Sequence, residues 1–164
     1  MFSIKNILVT TDFSDYSAAA LDHALSLALE YRSSVFLLHG VEDHLMGRRK
    51  SLKNSMKISV DKPNQQNMKE FVQKHVDDYL FIEPFIRHGV PHEQILRFAR
   101  EKNIDLIVIA THGRTGLNHI LMGSIAETIV RLSPVPVLSV KPSAVLEHLI
   151  TDEDVEHDLH LKRN

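Results

Sequence analysis

There is no cysteine among the 164 residues, which excludes a disulfide framework, thiolate catalysis and Cys-ligated zinc. No apolar run approaches the roughly 18 residues that a membrane span needs. The opening M-F-S-I-K-N-I-L-V has no signal-peptide core, so a cytoplasmic location is the expectation. Neither sign of charge dominates: 19 Lys and Arg against 21 Asp and Glu leave a net −2, which gives no argument for a nucleic-acid partner. Eleven histidines are present, yet none falls in a ligand pattern such as H-E-x-x-H, and no metal centre is expected from them. What remains, at 43% hydrophobic and 24% charged, is an ordinary globular chain of one-domain length.

The informative stretch is 104–124, I-D-L-I-V-I-A-T-H-G-R-T-G-L-N-H-I-L-M-G-S. Its first part is apolar and β-branched almost throughout, as in a strand covered on both faces of a parallel sheet. A polar loop with Gly113 and Gly116 follows, and Gly123-Ser124 opens an amphipathic run. A strand feeding a glycine-bearing loop that ends at a helix N-terminus is a physical recipe for holding phosphate. Glycine lets backbone N–H groups approach the oxygens, and the helix end adds unpaired donors and partial positive charge. A capped helix behind a plain surface loop would give the same pattern.

Around this stretch, strands and helices alternate. Strands are expected at 4–10, 35–41, 81–88, 104–110 and 134–140. Pro84 consigns the third of these to a sheet edge. Leu21, Ala24, Leu25, Ala28 and Leu29 mark one face of a first helix, with Ser14 or Asp15 as its cap. The stretch 42–66 is polar with no sustained period. Met68, Phe71, Val72, His75, Val76 and Tyr79 then mark a second helix; Ile95, Leu96 and Ala99 a third, begun at Pro91; and Ile125, Ile129 and Leu132 a fourth. This is the pattern of a doubly wound α/β domain with a parallel sheet and helices on both faces. Ligands of such sheets bind beyond the carboxyl ends of the strands, where strand order reverses. If the first and fourth strands are neighbours, Asp12 and the loop 110–124 face one crevice. Asp12 could equally do no more than precede and cap the first helix.

The runs R-H-G-V-P-H-E-Q-I-L, I-V-I-A-T-H-G-R-T-G-L-N-H-I-L-M-G-S-I-A-E and V-P-V-L-S-V-K-P, with the opening I-L-V-T-T-D-F-S, closely resemble the universal stress protein family. The resemblance covers about residues 3–142. It implies a five-stranded parallel sheet of order 3-2-1-4-5 in a domain spanning 1–142, followed by an acidic tail, 143–164. ATP-binding members carry G-x2-G-x9-G-[ST], and this chain has Ala110-x2-Gly113-x9-Gly123-Ser124, a match at three of the four defining positions. By that resemblance, Thr11 and Asp12 would lie by the base and ribose, and Gly113 with Gly123 and Ser124 by the phosphates. Ile109, Ala110, His112, Arg114 and Ile125 would complete the wall. Gly40 stands where nucleotide-binding relatives tend to have Val beside the adenine, in a contact made largely through backbone. The implied function is an ATP-binding regulatory module of a stress response, with Mg²⁺ accompanying the triphosphate. The alternatives are a non-binding interaction protein of the same fold and a slow ATPase. The loop has neither paired carboxylates nor a Walker-type Lys, so no catalytic residue is assigned.

The departure at Ala110 turns on backbone geometry. At an ordinary negative φ it adds one methyl group; at positive φ it would cost on the order of 1 kcal/mol. A methyl aimed at the ribose would obstruct binding either way. The last strand, 135–140 with Val135 and Val140 at its ends, is expected to be an open edge that pairs in a homodimer, as the family commonly does; Pro136 limits pairing near its start. The alternative is an edge covered by Val145, Leu146, Leu149 and Ile150 of the tail. Finally, 48–62 is basic (Arg48, Arg49, Lys50, Lys53, Lys57, Lys62), and a mobile lid over the phosphates is one reading of it. A solvated loop is the other.

Overall fold

The computed structural model describes residues 3–42, 54–76, 82–113 and 123–141, and of 54–60 the backbone only. Five strands, β1 (Asn6–Thr10), β2 (Ser34–Val41), β3 (Ile82–His88), β4 (Leu106–Ala110) and β5 (Val137–Val140), form one sheet of order β3-β2-β1-β4-β5. Every pairing is parallel. Four helices connect them: α1 (Asp15–Tyr31), α2 (Asn54–His75), α3 (Pro91–Glu101) and α4 (Ser124–Leu132).

The period of two along each strand divides the core. Ile7, Val9, Val35, Leu37, Leu106, Val108 and Ala110 pack against α1 and the Met68–Phe71 turn of α2. Leu8, Phe36, Leu38, Ile107 and Ile109 pack against α3 and α4. Both faces of β4 are therefore covered, and all five of its residues are buried. That is why its sequence reads as an unbroken apolar run.

The edges differ in chemistry. Gly89 donates its N–H to the Val41 carbonyl, so alternate residues of β3 from Gly89 backward face β2 and Pro84 faces outward. The missing N–H of Pro84 thus lies on the free edge, where it discourages further pairing. In β5 the Pro136 carbonyl accepts from Ile107 and the Val140 carbonyl from Thr111, so residues 136, 138 and 140 face β4. The missing donor of Pro136 is on the paired side, contrary to expectation. The outward groups are those of Val137 and Ser139.

Several expected details need correction. The second helix begins at Asn54, inside the stretch read as aperiodic, and carries Pro63 in its interior. In the sequence of its first turns Met56, Ile58 and Val60 fall at every second position and 61–67 are polar apart from Pro63, so no sustained helical stripe betrays them. Tyr79 lies outside the described residues. Leu29 and Leu132, expected to face inward, are exposed at the last turns of α1 and α4. Ile125 is also exposed, and the buried stripe of α4 is Ala126 and Ile129. On α3, Phe98 joins Ile95 and Ala99 as a buried residue that the reading left out, and Leu96 packs against the same cluster while partly exposed. Of the basic segment, 48–53 lie outside the described residues, while 54–62, read as lid or loop, are the first turns of α2. The tail from 142, and with it the edge-covering reading, also lies outside them.

Candidate functional site

Strand order reverses between β1 and β4: from β1 the chain proceeds outward to β2 and β3, and from β4 to β5. Beyond the carboxyl ends of these strands lies a crevice of about 460 Å³. Its walls include Thr11, Asp12, Gly40, Ile109, Ala110, His112, Gly113, Gly123, Ser124 and Ile125, so the structure brings these sequence-selected residues to one place. Arg114 lies outside the described residues. Sequence reasoning missed Leu38, Pro91, Ile95 and Ala126, which give the crevice an apolar side, and Glu42 and Thr111. Pro91 and Ile95 had a usable signal: a helix after an edge strand begins on the rim where that strand ends.

Each part of the wall has a local cause. After Thr10 the chain leaves the sheet abruptly, through Phe13 in the left-handed region at φ 66°. A non-glycine residue holds that conformation only when its surroundings over-determine it. Here the Phe13 N–H donates to Thr11 Oγ1 at 2.9 Å, and the Phe13 ring lies 4.2 Å from the imidazole of His39. Asp12 Oδ1 accepts from both the N–H and the hydroxyl of Ser14, and Ser14 Oγ in turn accepts from the Ser17 N–H to cap α1. So Asp12 does brace the helix start, through one oxygen. Its other oxygen lies against Gly113, close enough that a Cβ there would sit 2.7 Å from it. Gly113 is needed for that approach and not for φ, which is not positive.

On the far side, Gly123 donates its N–H to the Thr111 carbonyl at 2.7 Å, tying the start of α4 to the end of β4. Neither α4 nor α3 has a side-chain hydrogen bond at its N-cap, whereas α1 does. The first-turn N–H groups of a helix have no intrahelical partner, and both uncapped ends, at Pro91 and Ser124, line the crevice. His112 bonds through Nδ1 to the Thr111 hydroxyl at 2.9 Å.

The two departures take on definite geometry. Ala110 does not have positive φ, and it belongs to the core on the α1 face. Its methyl group is thus directed to the opposite side of the sheet from Ile95 and Ala126, although Ala110 is also part of the crevice wall. At Gly40 an added Cβ would stand 3.2 Å from Pro91 Cβ. The space a side chain would use is already filled by the proline ring.

The Universal stress protein family profile matches residues 3–141. The chain belongs to the universal stress protein family. Universal stress protein MJ0577 of Methanocaldococcus jannaschii is 30% identical over 154 residues, covering 84% of this chain and 94% of the relative. MJ0531 of the same organism is 34% identical over 139 residues, covering 84% and 82%. The solved structure of MJ0577 superposes with a TM-score of 0.73 at 30% identity, over 85% of this chain and 96% of that one. Two more distant structures of this fold, at 23% and 22% identity, are a universal stress protein in complex with cAMP (TM-score 0.65, covering 84% and 97%) and one from Archaeoglobus fulgidus in complex with dAMP (TM-score 0.56, covering 86% and 100%).

Among the described residues no group of three or more His, Asp or Glu side chains is placed to hold a metal ion. No helix among them is long and apolar enough to cross a membrane.

Proposed function

We propose that this universal stress protein binds an adenine nucleotide, ATP with Mg²⁺, in the β1–β4 crevice and serves as a nucleotide-responsive regulatory module. The observation that carries the reading is the strand edge at Gly40. Leu38 accepts from the Thr11 N–H, and Val41 accepts from Gly89 on the opposite side. Alternation then turns the N–H and C=O of Gly40 toward β1, and β1 has already left. A donor and an acceptor in fixed order on a bare strand edge match the N1 and N6 groups of adenine, while guanine presents the reverse order. Leu38, Pro91, Ile95 and Ile109 supply apolar surface for the ring, and the uncapped start of α4 suits phosphate. That two proteins of this fold are found in complex with cAMP and with dAMP makes adenine nucleotides the class to test.

A ligand at 100 times its dissociation constant stabilises the fold by about 2.7 kcal/mol. At roughly 2–4 °C per kcal/mol for a chain of this size, saturating Mg-ATP should raise the melting temperature by about 5–11 °C. The rise should be lost in Gly123→Val, whose side chain would crowd the Thr111 carbonyl that a Cβ alone already approaches to 3.3 Å. Wild-type protein freed of retained nucleotide that shows neither a shift nor calorimetric binding at millimolar ATP would refute the reading.

A homodimer through β5 is the second part of the proposal. The outward N–H and C=O groups of Val137 and Ser139 support it, since the other edge carries Pro84.

A further inference from the structure

We infer that His39 is a positioning residue for the base-recognition edge, an inference that rests on the nucleotide reading above. His39 lies near the end of β2, is 9% exposed, and shares the α1 side of the sheet with Val35 and Leu37. It does not line the crevice. Its Nδ1 is 2.7 Å from the Thr11 carbonyl, so Nδ1 carries the proton and donates. That carbonyl is the one that matters. With Thr10 opposite Leu38, two further residues of regular pairing would join the Thr11 carbonyl to the Gly40 N–H and the Phe13 N–H to the Gly40 carbonyl.

Both expected partners are diverted. The Phe13 N–H goes to Thr11 Oγ1, and the Thr11 carbonyl takes the imidazole N–H. The contact of the tilted His39 and Phe13 rings holds the left-handed residue that carries the chain away. A hydroxyl relay braces the same turn, since Ser17 Oγ lies 2.9 Å from Thr11 Oγ1 and donates to the Ser14 carbonyl at 2.9 Å. His39 therefore keeps β1 from pairing with β2 beyond the Thr11 N–H, which still donates to the Leu38 carbonyl. By doing so it leaves Gly40 available to a base and holds Asp12 at Gly113. It reaches no ligand itself; it acts through Thr11.

Two amide substitutions separate the donor from the ring. His39→Asn places an amide N–H where Nδ1 sits, whereas His39→Gln places it near Nε2. ATP and ITP affinities are measured by calorimetry for both variants and wild type, because hypoxanthine inverts the donor and acceptor order of adenine. His39→Gln should bind ATP about five- to ten-fold more weakly, with its preference for ATP over ITP reduced toward none. His39→Asn should keep both within about two-fold of wild type. Equal behaviour of the two variants, or an unchanged ATP-to-ITP ratio in His39→Gln, overturns the inference while leaving nucleotide binding in place. Wild-type protein that binds neither nucleotide overturns both.

Discussion

At position 110 a methyl group replaces the hydrogen of the family's first motif glycine, and the face of the sheet decides what that does. The methyl is buried with Val108 and Val140 against α1, at 8% exposure. Ala110→Gly removes about 0.8 kcal/mol of methyl burial and adds the entropy cost of glycine in a strand, together about 1–2 kcal/mol. The melting temperature should fall by roughly 2–8 °C, with the Mg-ATP shift unchanged. A larger shift in Ala110→Gly would show that the methyl does reach the ligand. Gly113 should behave in the opposite sense. Among the described residues a Cβ there meets the Asp12 carboxylate alone, a side-chain end that can move. Gly113→Ala should therefore change unliganded stability by less than about 0.5 kcal/mol, as surface changes do. Its ATP affinity should drop about ten-fold as Asp12 is displaced. Melting curves with and without nucleotide separate the two variants.

At the scale of elements, the parts legible in sequence were those whose burial imposes a period. β4 could be read because both its faces are covered, and β3 could be put at an edge because of Pro84. The start of α2 could not, since its early turns carry no apolar stripe. Gly113, Gly123 and Ser124 were legible as parts of one crevice wall, and Asp12 as their neighbour once β1 lies beside β4. The backbone contact at Gly40 came from the resemblance alone, because the open edge depends on where β1 leaves β2, which is a tertiary fact. The same parity yields a test of the dimer. Ser139 is exposed and its N–H faces outward from β5. Ser139→Pro would remove that donor without touching the ladder to β4, reproducing on this edge what Pro84 does on the other. Light scattering at micromolar concentration should find wild type dimeric and Ser139→Pro monomeric. A monomeric wild type would end the dimer proposal.

For the whole molecule, the question is how a chain of net charge −2 would hold the polyanion proposed for it. The described wall of the crevice has two carboxylates, Asp12 and Glu42, one imidazole, His112, and no Lys or Arg. The positive field offered to phosphate by these residues comes from backbone N–H groups and from the ends of α3 and α4, each equivalent to a fraction of one charge. Such a site opposes four negative charges poorly. Mg²⁺ binds chiefly through the phosphates themselves and needs few protein groups, so it can travel with the nucleotide and halve its charge. Chelating Mg²⁺ with EDTA should therefore weaken ATP binding by about ten-fold or more, as a loss of only about 1.4 kcal/mol would. Adenosine, which uses the Gly40 edge and the apolar slot alone, should bind equally with and without the metal. Calorimetry with the two ligands makes the comparison direct. If ATP binds as tightly in EDTA as in Mg²⁺, the phosphates are being neutralised by side chains, and Arg114, the cation of the glycine loop, is the first residue to replace.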